Sequence, residues 1–264
     1  GFGKLYRLDM SKWPEEKRRF HRDTYPGNRW NLGDFVLWHG SQKGDKEAYW
    51  NTSLGKGRAA WNVQDPALAM QSLGLKADIY CGGVDNIIRH HDYVIAVVEG
   101  VTGESFARYW LHGEHLFVDG KKMSKSRGNI IYPKDLIERG CQWQHIRFFL
   151  INGYYRKRLN FTFEKFKKAC DRLHKFKDMV NSLQNLKATK MESDPKTKRL
   201  IAKLKGDFEE NMNNDLHVKG AFDSLFKTVS KLTSLAEKGK VSMQDAEEAL
   251  ATLKSIDQVL QVIF

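Results

Sequence analysis

Three cysteines, Cys81, Cys141 and Cys170, are scattered through 264 residues without CxxC spacing. That number and spacing supply neither a disulfide framework nor a zinc ribbon, and they predict reduced thiols. The chain has no apolar run of roughly eighteen residues, so no membrane-spanning helix is expected, and its N-terminus lacks the charged-then-apolar pattern of a secretory leader. These absences predict a soluble, intracellular, cytoplasmic protein with no membrane partner. Acidic residues are scarce in one region. Between Arg156 and Lys205 five Asp and Glu stand against sixteen Lys and Arg, which accounts for most of the formal charge of +12.

A concentrated basic face attracts a polyanion, such as an RNA, through phosphate contacts and counterion release. On charge alone, a solvated lysine-rich helix face fits equally well. Hydrophobic residues make up 41% of the chain, enough for a packed core.

Residues 1–57 are rich in turns, Trp and charge, and read as an irregular connective insert with short strands. From Ala59 onward strand and helix alternate. Asp65-Pro66 predicts an N-cap with proline at the first helical position, ended by Gly74. A strand over Ala77–Tyr80 leads into the Cys81–Asp85 turn, and a helix is predicted over Asp85–Glu99, closed by Gly100. Tyr109–Leu111 and Leu116–Val118 read as strands, the second entering a tight Asp119-Gly120 turn. Strand, helix, strand in this order predicts half of a parallel doubly wound sheet. After Pro133 the chain turns helical. Phe163, Phe166, Ala169, Leu173, Phe176, Val180 and Leu183 recur at helical spacing as a core stripe. Helices around Leu200–Met212, Val218–Leu235 and Met243–Val262 complete an antiparallel bundle. The expected organisation is an α/β part followed by an all-α part. It has four segments: the insert at 1–57, a sheet-forming segment at 58–131, a linker at 132–161 and the bundle at 162–264.

The most specific feature is Lys122-Met123-Ser124-Lys125-Ser126, extended by Arg127-Gly128-Asn129 and preceded by a strand and turn. Two lysines flanking a Met-Ser pair can converge their ammonium groups on one polyphosphate, and small hydroxyl residues add donors. Lysine acts there as a compact point charge that neutralises a departing pyrophosphate. A basic surface loop is the plainer alternative.

In this setting Val118–Asn129 resembles the KMSKS loop of class I aminoacyl-tRNA synthetases, and its neighbours resemble the cysteinyl branch. Asn31–Trp38 is similar to "PLDFALW", Gly55–Trp61 to "GKGRPGW", and Asp78–His91 to "DIHGGGIDLIFPHH". Tyr109–His112 resembles the strand before the loop, and Leu159–Phe161 the entry to the helical domain. The likeness runs in order over nearly the whole chain.

The resemblance implies the second half of a Rossmann-like catalytic domain, a stem-contact linker and a tRNA-binding helical bundle. It implies ATP with Mg, an amino acid and a tRNA as substrates. Lys125 would contact the phosphates with Lys122 assisting, and Met123, Ser124 and Ser126 would complete the nucleotide-binding loop. Gly82, Gly83 and Asp85 would meet the adenosine, while Trp61 and His90 would border the amino-acid pocket. Read without the resemblance, Gly82–Asp85 is a tight strand-to-helix turn with an N-cap Asp.

Two departures from the family pattern bear on function. The early "HIGH" sequence of class I enzymes is absent, so the chain is expected to hold half of a standard site, with an N-terminal half as its complement. The cysteinyl family's zinc uses two Cys, a His and a Glu. Here Asp65 stands where one thiolate belongs and Val94 where the carboxylate belongs, leaving His90. One His with an Asp does not make a thiol-selective zinc site, so no metal ligand is assigned. Two alternatives to a tRNA ligase stay open at this point. One is a non-catalytic RNA-binding protein that kept the fold, and the other is a ligase joining an amino acid to a small amine.

Overall fold

The computed structural model describes residues 3–7, 34–41, 44, 48–186 and 194–264. Most of the predicted insert, including Asn31–Gly33 of the first resembling segment, lies outside the described residues, as do Lys187 and Lys190 of the basic stretch. The chain divides into two units, residues 1–113 and 114–264.

In the first unit β1 (Trp38–Gly40), β2 (Trp50–Thr52) and β3 (Gly55–Ala59) form an antiparallel sheet in the order β1-β3-β2. Helix α1 (Trp61–Leu73) then leads to β4 (Ala77–Gly83), and α2 (Asp92–Thr102) to β5 (Ala107–Gly113). β4 and β5 pair in parallel from Ala77↔Ala107 to Gly83↔Gly113, the strand–helix–strand crossover expected from the sequence. Val94, Val98 and Phe106 are the buried core beside this pair, with Tyr80 and Trp110 packed on it.

Helix α1 begins four residues before the Asp65-Pro66 signal. Extended Ala60 accepts the amides of Val63 and Gln64 through its carbonyl, and this starts the helix. Asp65 reaches His90 instead of capping, and Pro66 is buried inside the helix. The other helix is corrected too. A single π-helical turn, Ile87–His91, precedes α2. The helix runs through exposed Gly100 to Gly103, which stops it in the left-handed region at φ 74° with its amide on Glu99.

The second unit opens with β6 (Leu116–Val118) and β7 (Lys121–Lys122), followed by α3 (Pro133–Glu138), α4 (Trp143–Ile151) and β8 (Leu159–Phe161). β6 is central, antiparallel to β7 and parallel to β8. Four long helices follow: α5 (Phe163–Gln184), α6 (Pro195–Asn213), α7 (Val218–Glu237) and α8 (Met243–Leu260). Their starts follow capping chemistry. Thr162 Oγ1 accepts the Lys165 amide at 3.1 Å and Asp194 Oδ1 that of Lys196 at 2.8 Å. Ser242 and Asp245 form a reciprocal capping box. Such a cap contributes about 1 kcal/mol. Leu173, Phe176, Val180 and Leu183 are buried as the stripe predicted, whereas Phe163, the first helical residue, is 48% exposed. Phe176 and Phe222 meet at 4.9 Å in the bundle core. Among the described residues no helix is long and apolar enough to cross a membrane.

The α6–α7 corner turns through Asp215 and Leu216, both at φ 54°, a costly conformation outside glycine. Asp215 is held by the hydroxyls of Tyr154 and Tyr155 and by Arg156, whose Nε lies 2.5 Å from Oδ2. Arg156, then the two tyrosines, keep its carboxyl well below the usual carboxylate range.

Candidate functional site

The lysine loop grows out of a hairpin whose register the turn fixes. Asp119 and Gly120 both have positive φ, 47° and 76°, the two-residue turn that matches strand twist. The Asp119 amide donates to the Phe161 carbonyl at 3.0 Å, and that of Gly120 to Asn160 Oδ1 at 2.9 Å, so β8 anchors the turn. Beyond β7 the Met123 amide returns to Leu116 O at 2.9 Å. Asn129 then closes the loop on itself. Its Oδ1 accepts the Ser124 amide at 3.0 Å, and its Nδ2 donates to Lys122 O at 3.2 Å. Between them Lys125–Arg127 make one 3-10 turn, ended by Gly128 at φ 63°.

Met123 points inward, packed with Val118, Phe149 and Phe161 beside an apolar cavity of about 190 Å³. The two lysines differ. Lys122 Nζ lies 3.0 Å from His115 Nε2. Lys125 is exposed and makes no ion pair among the described residues. Ser124 Oγ and Ser126 Oγ are 3.3 Å apart. The loop is thus braced at its base, with a free cation at its tip.

In the first unit Gly82 and Gly83 end β4, and the Val84 amide donates to Gly113 O at 3.0 Å. The family resemblance set these glycines against an adenosine, whose flat ring a bare backbone can approach closely. A ring is present in the fold itself: a Cβ on Gly82 would lie 2.5 Å from Cε1 of His91. The Asp85 carboxylate folds over Gly83, where a Cβ would meet Oδ1 at 2.6 Å.

His91 Nδ1 sits 2.7 Å from His112 Nε2, a buried imidazole pair. Burial, then His112 and His90, push His91 down to about 3. Neither partner of this pair was assigned a role from sequence. They lie 21 residues apart and meet only because β4 and β5 pair in parallel.

The two predicted pocket residues, Trp61 and His90, are in direct contact. Their rings stack at 3.9 Å and 18°. His90 is buried, with Nδ1 2.8 Å from Asn62 Oδ1 and Nε2 3.0 Å from Asp65 Oδ2. Burial lowers its pKa, opposed by Asp65. Val94 is fully buried hydrocarbon. The donors around His90 are therefore one amide oxygen and one carboxylate, without a thiolate. Among the described residues no three His, Cys, Asp or Glu are grouped to hold a metal. This donor set does not fit a thiol-selecting zinc ion.

On the basic stretch, Lys168, Arg172, Lys203 and Lys205 pair with Glu164, Asp223, Asp207 and Glu209. Lys165, Lys167, Lys175 and Lys177, all on α5, make no ion pair among the described residues.

The family described as "tRNA synthetases class I (C) catalytic domain" matches residues 2–171. The Cysteine--tRNA ligase of Chlamydia pneumoniae is 39% identical over 263 residues, which is 99% of this chain and 55% of that protein. The Cysteine--tRNA ligase of Brachyspira hyodysenteriae is 36% identical over 266 residues, covering 99% of this chain and 54% of its own length. The chain spans about half the length of the curated relatives it matches. Among solved structures, the ternary complex of Agrobacterium radiobacter K84 LeuRS, tRNA and LeuAMS aligns over 81% of this chain and 32% of that one. Its TM-score is 0.57 at 15% identity, a likeness of fold.

Proposed function

The chain belongs to the class I (C) tRNA synthetase family, and from that premise we propose that it carries the phosphate-handling part of a cytoplasmic enzyme that activates an amino acid with ATP and transfers it to tRNA. In the first step a carboxylate oxygen of the amino acid attacks the α-phosphorus of ATP, which enters with Mg as substrate. The bond to the bridging oxygen breaks and pyrophosphate leaves. In the second step a ribose hydroxyl of the tRNA attacks the adenylate carbonyl and AMP departs.

The observation that carries this reading is the braced loop with an unpaired Lys125 at its tip. A cation held on a rigid base, free of its own carboxylate, neutralises charge that develops on the leaving pyrophosphate without reorganising first. Lys122 assists. Met123 keys the loop into the core, and the Ser124 and Ser126 hydroxyls offer donors to phosphate oxygens. Gly82, Gly83 and Asp85 serve the adenosine, with Asp85 as acceptor for ribose hydroxyls. Trp61 and His90 border the amino-acid pocket.

Selection of the amino acid does not run through a zinc-bound thiolate held by this chain's residues, because Asp65 and Val94 replace the soft donor and the carboxylate. The unpaired lysines of α5 take phosphates of the tRNA. The family match favours this ligase over a non-catalytic RNA binder or a small-amine ligase.

The test is Lys125→Ala in the longest natural form of the protein. Amino-acid-dependent ATP turnover should fall by roughly a hundredfold or more, the usual scale for removing one transition-state donor. Unchanged turnover would show that the loop does not handle the phosphates.

A further inference from the structure

A second cavity, of about 360 Å³, opens in the 114–264 unit among Arg139, Phe163, Lys167, His145 and His174. Its volume lies in the range that takes a small organic ligand. The Arg139 guanidinium lies 4.7 Å above the Phe163 ring, and both side chains are exposed. A guanidinium layered on an aromatic ring is a platform on which a nucleobase stacks. Exposed Lys167 supplies a cation with no carboxylate partner among the described residues.

The histidines have a fixed proton order. The Gln142 amide donates to His145 Nδ1 at 3.1 Å, so His145 carries its proton on Nε2 and gives it to His174 Nε2 at 2.8 Å. With its Nε2 accepting, the His174 ring presents Nδ1–H, a donor for a base carbonyl or a phosphate oxygen. Cys141 and Cys170 also line the cavity, and burial pushes Cys170 up to about 11, so it adds no negative charge.

We propose that this cavity binds one unpaired nucleotide of an RNA, its base stacked on the Arg139–Phe163 platform and its phosphate met by Lys167. The proposal rests on the RNA-binding reading above and assigns it a site. The complementarity on which it stands is local. An apolar cavity has cations at its rim, at the start of the helix that carries the unpaired lysines.

The experiment measures binding of this chain to a short fluorescein-labelled single-stranded RNA and to the same strand annealed as a blunt duplex. AMP serves as competitor. Single-stranded RNA should bind more tightly than the duplex despite the duplex's higher charge density. Phe163→Leu and Arg139→Gln, both surface changes checked by thermal melting, should each weaken single-strand binding roughly tenfold and leave duplex binding unchanged. Equal loss for both RNAs, or no loss, overturns the site while leaving the RNA-binding reading standing. No binding of either RNA overturns both. Competition by AMP at the concentration where the oligonucleotide binds overturns the RNA assignment in favour of a free-nucleotide pocket.

Discussion

Lys122 Nζ lies 3.0 Å from His115 Nε2 across the β6–β7 hairpin, so an imidazole nitrogen receives the first lysine of the loop. That contact fixes the direction of the lysine side chain at the base of the loop. His115→Phe removes that acceptor. The expected outcome is a rise of roughly fivefold in the KM for ATP in pyrophosphate exchange, with a smaller change in kcat, the scale of one hydrogen bond. His115→Gln, which keeps an acceptor, should restore most of it. Identical kinetics for His115→Phe would mean that the contact does not position Lys122.

The donors around His90 predict the metal content. Elemental analysis of the purified chain after dialysis should find well under one zinc per molecule, and a chelator should leave its melting temperature unchanged. Zinc at one per chain, lost on His90→Ala, would reverse the reading of Asp65 and Val94.

The unpaired lysines of α5 predict a salt law. If about four of them meet phosphates, the logarithm of the RNA association constant should fall with the logarithm of salt at a slope of roughly −3 to −4. Lys165→Ala should flatten that slope by about one and weaken all sequences alike. A slope near zero would remove the basic face from RNA binding.

His91 predicts an acid-sensitive fold. In the unfolded chain it takes up a proton near 6.5, in the folded chain only near 3. Between those values the unfolded state binds more protons, so stability falls as pH is lowered through that window and is unaffected above it. The expected loss is about 1–2 kcal/mol between pH 6.5 and about pH 4.5, allowing for solvent screening. Urea titrations of His91→Gln should show a shallower decline. An equally steep decline in that variant would place the acid sensitivity elsewhere.

What the sequence disclosed follows from how local each signal is. Asp119-Gly120 specifies its own turn, and with it the register that sets His115 and Lys122 on one face. Strand alternation could have revealed that pair. Thr162, Asp194 and Ser242 announce helix starts through caps a few residues away. The bundle stripe was legible for the same reason, except at Phe163, whose first-turn position leaves it exposed.

Asp65-Pro66 misled because a tertiary partner, His90, took the carboxylate that would otherwise cap a helix. The His91–His112 and His145–His174 pairs join residues 21 and 29 apart through strand pairing and helix packing, which no local pattern encodes. The π-helical turn at Ile87–His91 carries no composition signal of its own.

The ligase assignment is tested most directly by amino-acid-dependent ATP–pyrophosphate exchange on the longest natural form of the protein. It should be screened over the twenty amino acids, with and without a zinc chelator. Exchange should occur with one amino acid, be undiminished by the chelator and fall by roughly a hundredfold or more in Lys125→Ala. Silence across the panel in a protein that still binds RNA would contradict the ligase assignment, and cysteine exchange lost to the chelator would contradict the reading of the pocket.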